Sequence, residues 1–159
     1  MRRLKESRER ESPRSGTCVG GTFDILHDGH RELLGKAAEA SNDEILLVGI
    51  TSDELAASGR SRKVRKFSER ADAVSIYLKR LGCRFEIVEI HDFSGPAATE
   101  AGLDTIVVSS DTRENAERIN LIRKEKGLAA LRIISIDLVC GEDGVVLSST
   151  LLAEKSVVK

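Results

Sequence analysis

The stretch Gly20-Gly21-Thr22-Phe23-Asp24-Ile25-Leu26-His27-Asp28-Gly29-His30 decides how the rest of the chain is read. It joins an apolar, strand-like run over 17–23 to a pattern in which Leu33, Leu34, Ala37 and Ala38 recur at helical spacing. His27 and His30 therefore straddle a strand-to-helix turn. A helix start carries unpaired backbone N–H groups and roughly half a positive charge. Gly20, Gly21 and Gly29 let an anionic ligand approach the backbone closely, and two imidazoles add hydrogen-bond donors for a phosphate chain. A lone histidine near a helix start is more often a surface or capping residue. The pair, with a glycine between its members, turns the reading towards a phosphate site.

Working outward, further apolar runs over 44–50, 85–90, 105–109 and 132–139 alternate with helical patterns over 29–40, 68–81 and 113–126. Strand and helix in alternation imply parallel pairing, and near-continuous apolar strands such as Ile45-Leu46-Leu47-Val48 fit burial on both faces. The expected fold is α/β: a doubly wound, mostly parallel, Rossmann-like sheet of about five strands with helices on both faces. Such sheets bind ligands beyond the carboxyl ends of their strands. The two histidines follow the first strand directly.

Composition limits the rest. A chain of 159 residues with 40% hydrophobic and 32% charged side chains fits one globular domain, expected over 15–159. Residues 1–14 read as a disordered tail, in which Arg2, Arg3, Lys5, Arg8, Arg10 and Arg14 are interleaved with Glu6, Glu9 and Glu11. The tail lacks aromatics and the whole chain carries a net charge of -1, which argues against a nucleic-acid binder and for a small anionic partner. No apolar run approaches membrane-spanning length, and the first residues lack the apolar core of a secretory signal, so a cytoplasmic protein is expected. Cys18, Cys83 and Cys140 are odd in number and far apart, which implies neither a disulfide framework nor a metal site. Cys18 and Cys140 lie in apolar runs and read as small buried hydrophobes.

Two other stretches bear on a phosphate ligand. Residues 59–70, GRSRKVRKFSER, form a cationic run after the second strand. Such a run is ordinarily a solvated face, but on the ligand edge of the sheet it also fits a lid that closes over phosphates. Near the end, Glu142-Asp143-Gly144 marks a turn, and Ser148-Ser149-Thr150 precedes Leu151, Leu152, Ala153 and Glu154 as a helix N-cap would. Alone it is a plain cap; beside the histidine pair it suggests two helix starts clamping one triphosphate.

GGTFDxLHxGH resembles the signature of the nucleotidyltransferase superfamily related to class I aminoacyl-tRNA synthetases, whose HxGH element binds a nucleoside triphosphate. Thr51-Ser52-Asp53-Glu54, Gly95-Pro96, the DTIVVS run from Asp104, Ile119-Asn120-Leu121-Ile122-Arg123, Gly127-Leu128 and Ser148-Ser149-Thr150 narrow the likeness. Together they resemble archaeal phosphopantetheine adenylyltransferases along nearly the whole chain. The resemblance implies adenylyl transfer from ATP to 4′-phosphopantetheine, giving dephospho-coenzyme A and pyrophosphate in coenzyme A biosynthesis. It implies that Gly21, Thr22, Phe23, His27, His30, Ser148, Ser149 and Thr150 surround the nucleotide. His27 and His30 would meet the phosphates, His30 nearest the α-phosphate, and Thr22 would orient the attacking phosphate. Lys63 matches the family's loop lysine, with Arg62 and Lys66 as neighbouring alternatives, and Ser148, Ser149 and Thr150 would hold the β and γ phosphates. One departure is visible: Leu151, Leu152 and Ala153 stand where the archaeal pattern continues with Arg-Ile-Arg.

The implied chemistry needs no protein nucleophile, because a phosphomonoester with a second pKa near about 6 is largely dianionic at neutral pH. Catalysis reduces to positioning and charge stabilisation, with Mg²⁺ bound through substrate phosphates and water rather than by a carboxylate cluster. Two alternatives stay open: another small-molecule nucleotidyltransferase of cytidylyl or nicotinamide-nucleotide type, and a non-catalytic nucleotide or coenzyme A sensor. The partners expected are the two substrates, with no nucleic acid and no membrane. The oligomeric state is left open, a monomer included.

Overall fold

The computed structural model describes residues 16–58 and 63–137. The N-terminal tail, Arg62, Cys140 and the serine-rich stretch Ser148-Ser149-Thr150 lie outside the described residues. In chain order come β1 (Gly16–Gly21), α1 (Asp28–Ser41), β2 (Leu46–Thr51), α2 (Asp53–Ala57), α3 (Phe67–Arg80), β3 (Phe85–Ile90), β4 (Leu103–Ser109), α4 (Arg113–Glu125) and β5 (Arg132–Ile136). Short 3₁₀ turns occupy Gly95–Ala98 and Ser110–Thr112. The five strands pair in parallel in the order β3-β2-β1-β4-β5, as the alternating pattern implies.

Because side chains alternate along a strand, each central strand feeds both faces. Val19 and Val107 join Leu33, Leu34 and Ala37 of α1 and Val74 and Leu78 of α3 on one face. Cys18, Ile106 and Val108 join Ala116 and Ile119 of α4 and the Gly95–Ala98 turn on the other. Apolar residues at consecutive positions are thus explained by two layers of cover, the arrangement that parallel sheets need.

The opposite face is pinned by polar side chains rather than by volume alone. Arg123, 1% exposed, donates to the carbonyls of Ala97, Glu100, Leu103 and Ala129. Asn120 accepts from the Leu131 N–H and donates to the Leu131 carbonyl. The distinctive INLIR stretch therefore holds α4 against the two loops beside it.

From β1 the chain winds outward through β2 to β3, then returns to the other side of β1 for β4 and β5. The winding direction reverses between β1 and β4, and their carboxyl ends border the crevice where such sheets take ligands. The sequence places the end of the first strand at residue 23; β1 stops two residues earlier, and Phe23 leaves the strand path with φ 53 and turns its ring into the core. The short helix α2 has no counterpart in the sequence reading; the Ser52 hydroxyl accepts from the Leu55 N–H and caps it. Among the described residues, no helix is long and apolar enough to cross a membrane.

Candidate functional site

His27 is the N-cap of α1, and its Nδ1 accepts from the backbone N–H groups of Gly29 at 3.0 Å and His30 at 3.3 Å. These are two of the donors that the sequence reading leaves open for a ligand; the structure corrects that expectation, because the ring takes them first. An Nδ1 that accepts cannot carry a proton, so in the neutral ring the proton sits on Nε2. His27 Nε2 is buried and, among the described residues, has no hydrogen-bond partner. Burying such a donor unpaired is penalised by about 1–3 kcal/mol, so this N–H is a candidate donor to an anionic ligand.

Two of the glycines also have a different cause from the one first read. A Cβ on Gly29 would lie 2.9 Å from His27 Cε1, and one on Gly21 would lie 3.1 Å from the Phe23 ring. Gly29 is bare to seat the His27 ring, and Gly21 to seat Phe23. Phe23 itself is 1% exposed and meets His30 edge-on with centroids 5.3 Å apart, so its side chain supports the second histidine and only its backbone is left to face a nucleotide.

His30 is held by the opposite nitrogen. Its Nδ1 lies 2.9 Å from the Ile25 carbonyl, which only accepts, so Nδ1 carries the proton and Nε2 is the atom available to a ligand. The two imidazoles stack 3.8 Å apart. Burial first, then the neighbouring His27, depresses the His30 pKa from its ordinary 6.5 to about 4. Burial also lowers that of His27. Both rings are neutral at pH 7, one presenting an N–H and the other a lone pair.

A second group of residues ties the cationic loop to the end of β1. Asp24, 2% exposed, accepts from the Arg65 backbone N–H at 3.0 Å and its Nε at 3.4 Å. Arg70 is not part of the loop: it lies in α3 and is fully buried. Its Nε donates to the Arg65 carbonyl, Nη1 to the Thr22 carbonyl and Thr51 Oγ1, and Nη2 to Asp53 Oδ1. Thr51 in turn donates to Thr22 Oγ1 at 3.1 Å. Asp53 also accepts from the Phe67 N–H at 2.7 Å and so caps α3, whose own N-cap residue Lys66 supplies no side chain for the purpose.

Of the expected site residues, Gly21, Thr22, Phe23, His27 and His30 lie together at the end of β1 and the start of α1. Lys63 is exposed and stands two residues before Arg65, on the stretch that Asp24 anchors. Sequence reasoning gives Asp24 no role and counts Arg70 as one more loop cation. The signal for Asp24 was present in GGTFD; Arg70 shows none, since a buried arginine and a solvated one look alike in a charged run. On the far face of the sheet, an apolar cavity lined by Gly20, Gly49, Ile90, Phe93, Pro96 and Ile119 opens beside the same strand end. Cys18 also lines it, with its thiol pushed up to about 12 by burial, as expected for a small hydrophobe.

Residues 18–155 match the family described as Cytidylyltransferase-like. The phosphopantetheine adenylyltransferase of Methanosarcina barkeri is 39% identical over 143 residues, which span 88% of this chain and 87% of that protein. The phosphopantetheine adenylyltransferase of Methanothermobacter thermautotrophicus is 38% identical, over 84% of this chain and 79% of its own. Among solved structures, a protein of unknown function from Archaeoglobus fulgidus is similar with a TM-score of 0.70 at 35% identity, covering 76% of this chain and 88% of that one.

Proposed function

The chain belongs to the cytidylyltransferase-like family, and from that premise we propose that it transfers the adenylyl group of ATP to 4′-phosphopantetheine, forming dephospho-coenzyme A and pyrophosphate. The archaeal relatives of that name, matched over most of both chains, support the choice of acceptor. The observation that carries a phosphate ligand is the buried Nε2–H of His27, without an acceptor among the described residues, at a helix start beyond the carboxyl end of the central strand.

In this reading an oxygen of the acceptor phosphate attacks the α-phosphorus of ATP, a new phosphorus–oxygen bond forms, and the α–β bridging oxygen departs with pyrophosphate. The acceptor is already dianionic and needs no base, so the protein's work is alignment and charge stabilisation. Thr22 orients the attacking phosphate, His27 donates to the triphosphate, and His30 meets the α-phosphate, where charge develops as the bond breaks. Lys63 reaches the phosphates from the cationic loop, and Ser148, Ser149 and Thr150 hold the β and γ phosphates. Among the described residues no cluster of carboxylate, histidine or cysteine groups could ligate an ion directly, so Mg²⁺ would be held by the ATP phosphates that His27, His30 and Lys63 meet, where it would neutralise charge on the leaving pyrophosphate. The apolar cavity beside Gly20 takes the pantetheine arm. The reaction takes place in the cytoplasm.

The test is a panel in which phosphopantetheine, glycerol 3-phosphate and nicotinamide mononucleotide are each paired with ATP and CTP, read by pyrophosphate release and product mass. Dephospho-coenzyme A from the first pair supports the reading. Turnover confined to another pair, or tight ATP binding with no turnover at all, overturns it.

A further inference from the structure

A fully buried guanidinium is an expensive feature, and Arg70 is one. Its one carboxylate partner among the described residues, Asp53, has a side chain that is 59% exposed, so the pair is not a buried charge neutralised by a buried charge. What the guanidinium gathers are four points on separate segments: the Thr22 carbonyl after β1, the Thr51 hydroxyl at the end of β2, Asp53 at the start of α2, and the Arg65 carbonyl at the exit of the cationic loop. Arg65 is held from both sides of its backbone. Its N–H goes to Asp24 and its C=O to Arg70, so this residue cannot rotate without breaking two part-buried hydrogen bonds.

Arg123 serves as the contrast within the same molecule. It too is buried and binds four carbonyls, but all four lie around α4 and the Gly95–Ala98 turn, away from the histidines. Arg123 only locks a helix, whereas the partners of Arg70 all border the candidate site. The same guanidinium that fixes Arg65 also fixes, directly and through Thr51, both the backbone and the hydroxyl of Thr22. A planar fork with donors on every nitrogen suits this task, and lysine would satisfy only a fraction of it.

We propose that Arg70 is a positioning residue for adenylyl transfer: it holds the Arg65 pivot of the cationic loop and the Thr22 strand end in one rigid frame, so that Lys63 and Thr22 meet the two substrates in register. The inference rests on the reading that Lys63 reaches the phosphates. It differs from a purely structural role in one measurable respect: the benefit of Lys63 must depend on Arg70.

The experiment is a double-mutant cycle in kcat/KM between Lys63→Ala and Arg70→Lys, with circular dichroism and thermal unfolding on each variant and Arg123→Lys as the control for loss of a buried fork. In the parent, Lys63→Ala lowers kcat/KM by about tenfold to a hundredfold, as for one charge-assisted contact. With Arg70→Lys folded, kcat falls at least tenfold while the ATP KM moves little, and adding Lys63→Ala then lowers kcat/KM by less than threefold. In the Arg123→Lys background the full Lys63 penalty remains. If Lys63→Ala carries the same penalty with and without Arg70, the positioning role is overturned and the phosphate reading of Lys63 survives. If Lys63→Ala is silent in the parent, both fall together. Should Arg70→Lys fail to fold, Asp53→Asn carries the same cycle: it loosens one arm of the fork at an exposed carboxylate, and a Lys63 penalty unchanged within twofold overturns the proposal.

Discussion

Binding of ATP should draw a proton onto His30, and the amount follows from the geometry. His27 cannot take that proton, since its Nδ1 accepts from two backbone N–H groups. His30 can, because its Nδ1–H is committed to the Ile25 carbonyl and Nε2 holds a lone pair. That lone pair would repel a phosphate oxygen; an imidazolium would donate to it. In the free protein, burial and the stacked His27 ring hold the His30 pKa to about 4, with Arg31 opposing and Asp24 favouring the charged form. One phosphate charge about 4 Å from the ring, at an effective dielectric constant of about 20, contributes about 4 kcal/mol, or roughly three pH units in favour of imidazolium. At pH 6.5 the free ring is then less than about 1% protonated and the ATP-bound ring mostly protonated, a net uptake of about 0.8 proton per site. Isothermal titration of MgATP into the parent and into His30→Gln, in two buffers of different ionisation enthalpy, measures it. The glutamine variant keeps a neutral donor and lacks the titration, so proton changes on the nucleotide itself cancel in the comparison. Equal uptake by both folded proteins, within about 0.1 proton, refutes the assignment of donor and acceptor nitrogens on which the estimate is built.

Three other outcomes follow from the same contacts. Gly29→Ala would ordinarily favour a helix by up to about 1 kcal/mol, but its Cβ would press on His27 Cε1; ATP affinity should fall at least about tenfold with little change in unfolding midpoint, read by calorimetry beside thermal denaturation. Lys63→Ala should lose about 1.5–3 kcal/mol of transition-state stabilisation, and if Lys66→Ala is the crippled variant instead, the loop assignment shifts by three residues. Stability should also depend on pH through His30. Its pKa is lower folded than unfolded, so the unfolded chain binds the proton more readily; the contribution is complete above 6.5 and lost as pH falls towards 4. Urea unfolding at several pH values should show a rise in stability across that window, at most about 3 kcal/mol, that His30→Gln largely removes.

The order of elements was legible because it rests on local patterns. Apolar residues spaced for a helix at Leu33, Leu34 and Ala37 and β-branched runs such as the one around Ile106 report their own periodicity, and strand-helix alternation leaves parallel pairing as the economical arrangement. The histidine pair was legible for the same reason: a strand, glycines, two imidazoles and a helix are neighbours in sequence before they are neighbours in space. What the tertiary structure alone decided is how those groups spend their hydrogen bonds. The Gly29 N–H and the His27 ring look in sequence like two separate offers to a ligand, yet they satisfy each other, and only Nε2 of that ring remains. Arg70 reads as one cation among many in a charged run, and becomes the joint between β1, β2, α2 and the loop only when helix α3 folds its guanidinium inward beneath them. Periodicity shows which face of an element is buried. It does not show whether a charged group on that element will be buried against a hydroxyl 19 residues away and a carbonyl 48 residues away, because that is fixed by packing between segments that share no local pattern.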